Sequence, residues 1–255
     1  MVGRQPSRDL AHEHRPERVR ERLRAGGGHH LGDAVLGAID GAITSFAVVA
    51  GAVGGGFSSL VVVILGFASL LADGFSMAVS NYLGTKSESE AAQAAHREEE
   101  RHIDRVPEGQ CEELRQIFAA KGFEGEALDR IVEAISSDRR LWVETVVREE
   151  FDLAAGDAGR PVRAGAATFA TFLAAGVVPL APFLLPFLDP GRAFLVSIAA
   201  TSLTFLFIGF LKSRALGQAP LRAALETLLT GGGAALLAYG VGAGLRSWLG
   251  AGTVA

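Results

Sequence analysis

"AVLGAIDGAITSFAVVAGAVGGGFSSLVVVILGFASLLA", residues 34–72, holds one charged side chain, Asp40. A membrane-crossing helix needs about 20 apolar residues, so this stretch is long enough for two. Its middle, "GAVGGGFSSL", has three consecutive glycines and two serines, a breaker cluster that predicts a tight turn between two spans. Three more charge-poor segments follow, at residues 164–188, 193–211 and 223–245. The chain is therefore expected to be all-α and polytopic, with five transmembrane helices near 33–55, 58–84, 163–187, 191–213 and 221–247. A 49% hydrophobic content with 32 glycines suits packed membrane helices better than a water-soluble domain.

The net charge of −4 conceals a segregation of charge along the chain. Seven arginines precede the first span, residues 86–163 contain twelve Lys or Arg, and Lys212, Arg214 and Arg222 border the turn between the last two spans. With five spans these regions fall on one face, and the opposite loops hold only Arg192. The positive-inside rule then places the N-terminus and the long insert in the cytoplasm. The first thirty residues are charged and have no apolar core, so no signal peptide is expected there. The single cysteine, Cys111, excludes an internal disulfide and any CxxC zinc site. No nucleic-acid partner is expected.

Four units follow: a cytoplasmic N-terminal segment (1–32), helices 1–2 (33–85), a cytoplasmic helical insert (86–160) and helices 3–5 (161–255). The insert reads as helix throughout. "SESEAAQAAHREEERHIDRV" is rich in Ala and Glu and stops at Pro107. "EGQCEELRQIFAAKG" lines up Leu114, Ile117 and Phe118 before a capping Gly122, and "EGEALDRIVEAISSD" carries a stripe of Leu128, Ile131, Val132 and Ile135.

The polar residues inside the spans carry the chemistry. A carboxylate at mid-bilayer costs on the order of 2.5 to 3.5 kcal/mol on insertion scales and normally faces a partner or a substrate path. Asp40 lies nearly two turns beyond Asp33 on the same face of helix 1. On helix 2, Asp73, Met77, Ser80, Asn81 and Gly84 recur at spacings of three and four. Carboxylate, thioether, hydroxyl and amide groups along one stripe suit an intermediate divalent cation such as Mn²⁺ or Fe²⁺ better than Mg²⁺ or Ca²⁺. Gly37, Gly41, Gly66 and Gly74 predict close backbone approach. In the insert, Glu99 and His102 form a Glu-x-x-His pair, the spacing that puts two metal ligands on one helix face. Glu112 and Glu113, and Glu149, Glu150 and Asp152, converge on it if the helices fold back.

As a set these residues resemble the vacuolar iron transporter family. The matching pieces are "DAVLGAIDGAITSFAVVAG", "LADGFSMAVSNYLGTKSE", "PEGQCEELRQIFAAKGF" with "LWVETVVREEFDL", and "GVVPLAPF", in family order over nearly all of the chain past residue 30. The resemblance implies a homodimer of five-helix protomers in a lipid bilayer, with no enzymatic activity and no organic cofactor. Its path lies near the dimer interface, and it exports Fe²⁺ or Mn²⁺ from the cytosol in exchange for protons. Asp40 matches the family's pore acid, Met77 its pore methionine, and Glu99, Glu113 and Glu150 the glutamates of its metal-binding domain. The chain departs from the family at Asn81, where a Glu is common, at Val146 and Val147, where a Met-Met pair is common, and near His102 and Gln110, where further glutamates stand. An Arg-, Ala- and Gly-rich composition points to a bacterial plasma (inner) membrane. The alternative is a membrane-anchored metal-binding or ferroxidase-like carboxylate module, which requires a second Glu-x-x-His motif from a partner.

Overall fold

The computed structural model describes residues 29–151, 160–216 and 219–251. The expected N-terminal segment, apart from its last residues, lies outside the described residues, as does Asp152. Among the described residues there are eight α-helices and no strand: α1 (His29–Gly54), α2 (Ser59–Arg105), α3 (Pro107–Ala120), α4 (Gly125–Ser136), α5 (Arg139–Phe151), α6 (Arg160–Leu180), α7 (Pro190–Leu216) and α8 (Pro220–Ala251). A short 3₁₀ turn, Ala181–Leu184, follows α6. Five helices are long and apolar enough to cross a membrane: Leu31–Gly54, the first part of Ser59–Arg105, Arg160–Leu184, Pro190–Ser213 and Pro220–Gly250. The protein is a multi-pass membrane protein.

The predicted break between the first two spans is a turn at Gly55 and Gly56. Gly56 adopts φ +75°, a conformation that side chains with a Cβ rarely accept. At the other end of the second span no break exists. α2 runs unbroken for 47 residues, about 70 Å at 1.5 Å per residue, straight through the expected boundary at residues 85/86. "SNYLGTKSESEAA" contains no proline, and its lone Gly84 is not enough to stop a helix flanked by Ala- and Glu-rich turns.

One helix thus carries two buried stripes in succession. Val62, Gly66, Leu70 and Gly74, each four residues apart, are buried in the membrane part; Ala92, Ala95, Glu99 and Ile103 are buried in the insert part. The first stripe meets α6, which packs against both α1 and α2 at the centre of the bundle. All four glycines singled out in the sequence face α6, Gly37 and Gly41 against its backbone and Gly66 and Gly74 against its side chains. A Cβ on Gly41 would lie 2.3 Å from the carbonyl oxygen of Phe172, and one on Gly66 would lie 2.2 Å from Leu180 Cδ2. α8 packs on α1 and α7 at the far side.

α6 ends where its prolines require. Pro179 sits in its last turn, Pro182 in the 3₁₀ turn, and Pro190 opens α7. The hydroxyl of Ser197 on α7 donates to the Pro179 carbonyl at 2.8 Å, satisfying one of the acceptors left open at a helix C-terminus.

The insert has its own core, in which Ala95 and Ile103 of α2, Leu114 of α3, Leu128 and Val132 of α4, and Trp142, Val143, Val146 and Val147 of α5 close on one another. The stripe expected on α4 is present. Cys111 is a half-buried free thiol packed against this core.

Candidate functional site

Three polar levels follow one another along α2. Deepest in the membrane are Asp40 and Asp73. Asp40 stands about 14 Å along α1 from Leu31, and its side chain is exposed on the surface of the protomer. Asp73 is half-buried and accepts the Ser69 hydroxyl at 2.5 Å. The two carboxylates are near enough to feel each other's charge. Met77 is half-buried, and its side chain packs against the apolar cluster of Val49, Leu70 and Phe172.

Two turns nearer the insert, Asn81 joins three helices. Its amide nitrogen donates to Asp33 Oδ1 on α1 at 2.9 Å and to Thr168 Oγ1 on α6 at 2.7 Å. The Thr168 hydroxyl reaches the Asp33 carbonyl at 3.4 Å and is fully buried. Asp33 and Asn81 were expected along the path; Thr168 was not. "GAATFATF" offers a threonine in an apolar helix, which in sequence is indistinguishable from one that bonds to its own backbone, as Thr171 does to Ala167 at 2.8 Å.

The third level lies in the insert. Glu99 is 2% exposed, and its Oε2 has no hydrogen-bond partner. Its Oε1 lies 3.4 Å from His102 Nδ1, while Glu98 Oε1 lies 3.2 Å from His102 Nε2, so the imidazole is held between two carboxylates of its own helix. Burial, together with the charges of Glu150 and Glu98, lifts the Glu99 carboxyl above its ordinary range against the pull of His102. Glu113 on α3 is pushed up to about 7 by burial, by a hydrogen bond with Glu150 on α5, and by the charges of Glu150 and Glu99. Gln110 opposes that rise, donating from Nε2 to Glu113 Oε2 at 2.6 Å. Gln110 is itself buried, and its Oε1 has no partner.

Glu99, Glu113 and Glu150 therefore converge from three helices, as expected if the insert folded back. Among the described residues no three His, Cys, Asp or Glu side chains close tightly enough to hold one ion between them. The three share an electrostatic neighbourhood without forming a coordination shell. Glu112 turns away from it and pairs with Arg115 at 3.8 Å, and Glu149 pairs with Lys121 at 2.5 Å. Two clefts of about 280 and 370 Å³ flank His96 between α2 and α5, but none of the three converging glutamates lines them. The converging glutamates sit among the helices, outside both clefts.

Residues 31–243 match the model of the VIT family, from the first span to the last. The chain belongs to the VIT family. It is 32% identical to a vacuolar iron transporter of Toxoplasma gondii over 225 residues, covering 85% of this chain and 74% of the relative. It is 29% identical to vacuolar iron transporter 1 of Oryza sativa over 232 residues, covering 91% and 89%. With vacuolar iron transporter 1 of Arabidopsis thaliana it shares 29% over 212 residues, covering 83% and 84%. These relatives are named as transporters, not as enzymes. The VIT match spans all three polar levels, and the buried Val146 and Val147 lie within it as part of the insert core.

Proposed function

We propose that this VIT-family chain is a divalent metal transporter that moves Fe²⁺ or Mn²⁺ out of the cytosol in exchange for protons, working as a homodimer with the insert on the cytosolic side. The observation that carries the proposal is Asp40: a carboxylate in the middle of an apolar span, exposed on the surface of a single protomer. Left against lipid it would be costly, so its position calls for a partner surface and an aqueous path beside it. Asp73, near enough to share its field, gives that path a second carboxylate from the neighbouring helix.

In this scheme Glu99, His102, Glu113 and Glu150 gather the ion at the insert. It then passes Asp33 and Asn81 and binds between Asp40, Asp73 and Met77. A carboxylate binds a cation only when deprotonated, so protons returning from the far side release the ion, and the two fluxes are coupled without further machinery. The loose gathering of the insert carboxylates suits collection and release better than permanent retention. With Val146 and Val147 buried as core, the insert offers oxygen and imidazole ligands, a set that suits both Mn²⁺ and Fe²⁺.

The test is metal flux into liposomes holding the purified chain, with a pH difference imposed. Asp40→Asn keeps the shape of the side chain and removes its charge. It is expected to abolish flux driven by the pH difference, and flux at the wild-type rate would sink the pore assignment. A plasma-membrane location is part of the same proposal, and localising a tagged chain in its native cell tests it.

A further inference from the structure

The transport scheme takes the ion past Asp33 and Asn81 but gives Thr168, which joins them from α6, no task. The amide nitrogen of Asn81 is surrounded by oxygen acceptors from two other helices, Asp33 Oδ1 at 2.9 Å and Thr168 Oγ1 at 2.7 Å. Both of its hydrogens are thereby engaged. Thr168 is fully buried and also reaches the backbone carbonyl of Asp33 at 3.4 Å. The three helices are pressed together at this level. A Cβ on Gly37, one turn after Asp33, would lie 2.4 Å from the Thr168 carbonyl oxygen, and one on Gly165 would lie 2.9 Å from the Ala78 carbonyl oxygen. Asp33 and Asn81 are half-buried, so an ion moving along them towards Asp40 meets this latch.

We propose that Asp33, Asn81 and Thr168 form the inner gate of the ion path, with the Asn81 amide group occupying the place of a cation. This rests on the transport role proposed above. The tethered NH₂ group is a donor held among oxygens, the role a metal ion would take there. When an ion arrives from the insert, rotation of the Asn81 amide withdraws the donor and presents its carbonyl oxygen. Asp33, Thr168 and Asn81 then offer oxygen only, and the ion crosses a hard-ligand constriction before reaching Asp40, about 10 Å further along α1. Closing again needs no outside group, because the amide returns to the acceptors the ion has left. Asn81 and Thr168 contribute neutral oxygens to this device, and Asp33 is the one charged member.

The decisive measurement is Mn²⁺ leak through the full chain in liposomes with no pH difference imposed, read together with KM and kcat under a gradient. Asn81→Ala and Thr168→Val remove one side of the latch and are expected to raise the leak about three- to tenfold, the weight of an interhelical hydrogen bond in a membrane. Thr168→Ser keeps the hydroxyl and is expected to restore a tight protein. Asn81→Asp replaces the donor with a second carboxylate facing Asp33, so Mn²⁺ is expected to bind there and linger, lowering KM and kcat together. A wild-type leak in folded Asn81→Ala and Thr168→Val overturns the gate. Should those two variants not fold, an unchanged KM in Asn81→Asp overturns it instead. Loss of flux in Asp40→Asn alongside unaltered Asn81 and Thr168 variants would remove the gate and leave the transport proposal standing.

Discussion

The membrane bundle and the insert share a helix, α2, yet they are built on opposite rules. In the insert the large apolar side chains point inward, with Leu114, Val146 and Val147 fully buried, and the outside is covered by ion pairs such as Arg139 with Asp104. In the bundle Leu60, Leu203, Leu229, Leu236 and Leu237 are each at least two-thirds exposed. Inside, the bundle also buries large apolar side chains such as Leu70, Phe172, Leu180 and Phe205, but they interleave with glycine, threonine and serine positions that bring the helices close. Water drives the first arrangement by expelling apolar surface. Lipid exerts no such force, so the bundle is held by close backbone approach and interhelical hydrogen bonds. Most charged groups of the insert are consequently solvated at its edge, with Glu99 and Gln110 as buried exceptions, while Asn81 and Thr168 of the bundle bond between helices.

The widest gap between the two halves is expected from leucine truncation. Leu114→Ala empties a site in the insert core and is expected to cost about 2–5 kcal/mol. Leu236→Ala, on the outside of the bundle, is expected to leave unfolding nearly unchanged, because lipid fills the space. Thermal unfolding in detergent, with hydrogen exchange to localise the loss to α3 and α5, separates the two. Equal costs would erase the distinction. The converse change comes next in size: Gly41→Ala pushes a methyl group to 2.3 Å from the Phe172 carbonyl and is expected to cost about 1–3 kcal/mol, with α1 separating from α6. The same measurement checks it.

How far the sequence alone revealed each half follows from the same contrast. Five spans, the turn at Gly55–Gly56 and the insert helices were legible because each rests on local periodicity or a local breaker. The continuity of α2 was not, because the expected boundary came from a change in charge and a helix passes from lipid to water without needing one in its backbone. Asp40 was legible as an isolated acid. Thr168 was not, because its role depends on which residues α6 meets, and that is set by glycines on two other helices. Val146 and Val147, noticed as missing ligands, turn out to fill the core of the insert.

The insert's titration provides a subtler contrast. Folding lifts the Glu113 carboxyl from its ordinary 4.5 to about 7, chiefly by burial. The folded insert therefore binds more protons than the unfolded chain between those values, and its stability falls as pH rises through that window. Without metal, the insert is expected to be most resistant to hydrogen exchange at or below pH 4.5 and to lose protection up to about pH 7. Saturating Mn²⁺, which binds the deprotonated form, is expected to flatten or reverse that slope. Protection of the metal-free insert that increases with pH would contradict the convergence of Glu113 with Glu150 and Glu99.

The smallest effect tests whether the insert's charged exterior contributes anything that the bundle lacks. Arg139 Nη1 lies 2.6 Å from Asp104 Oδ1, its Nη2 donates to the Glu100 carbonyl at 3.1 Å, and both side chains of the pair are more than half exposed. Exposed pairs contribute little, since water competes for both charges and holding them together costs side-chain entropy. Arg139→Ala is accordingly expected to lower the insert's stability only slightly, and by less still in high salt. The pair links α5 to the far end of α2, so its loss would loosen the insert against the long helix rather than unpack its core. Hydrogen exchange that quickens only near the start of α5, with Leu114 and Val146 still protected, would place the stability of the insert in its apolar interior.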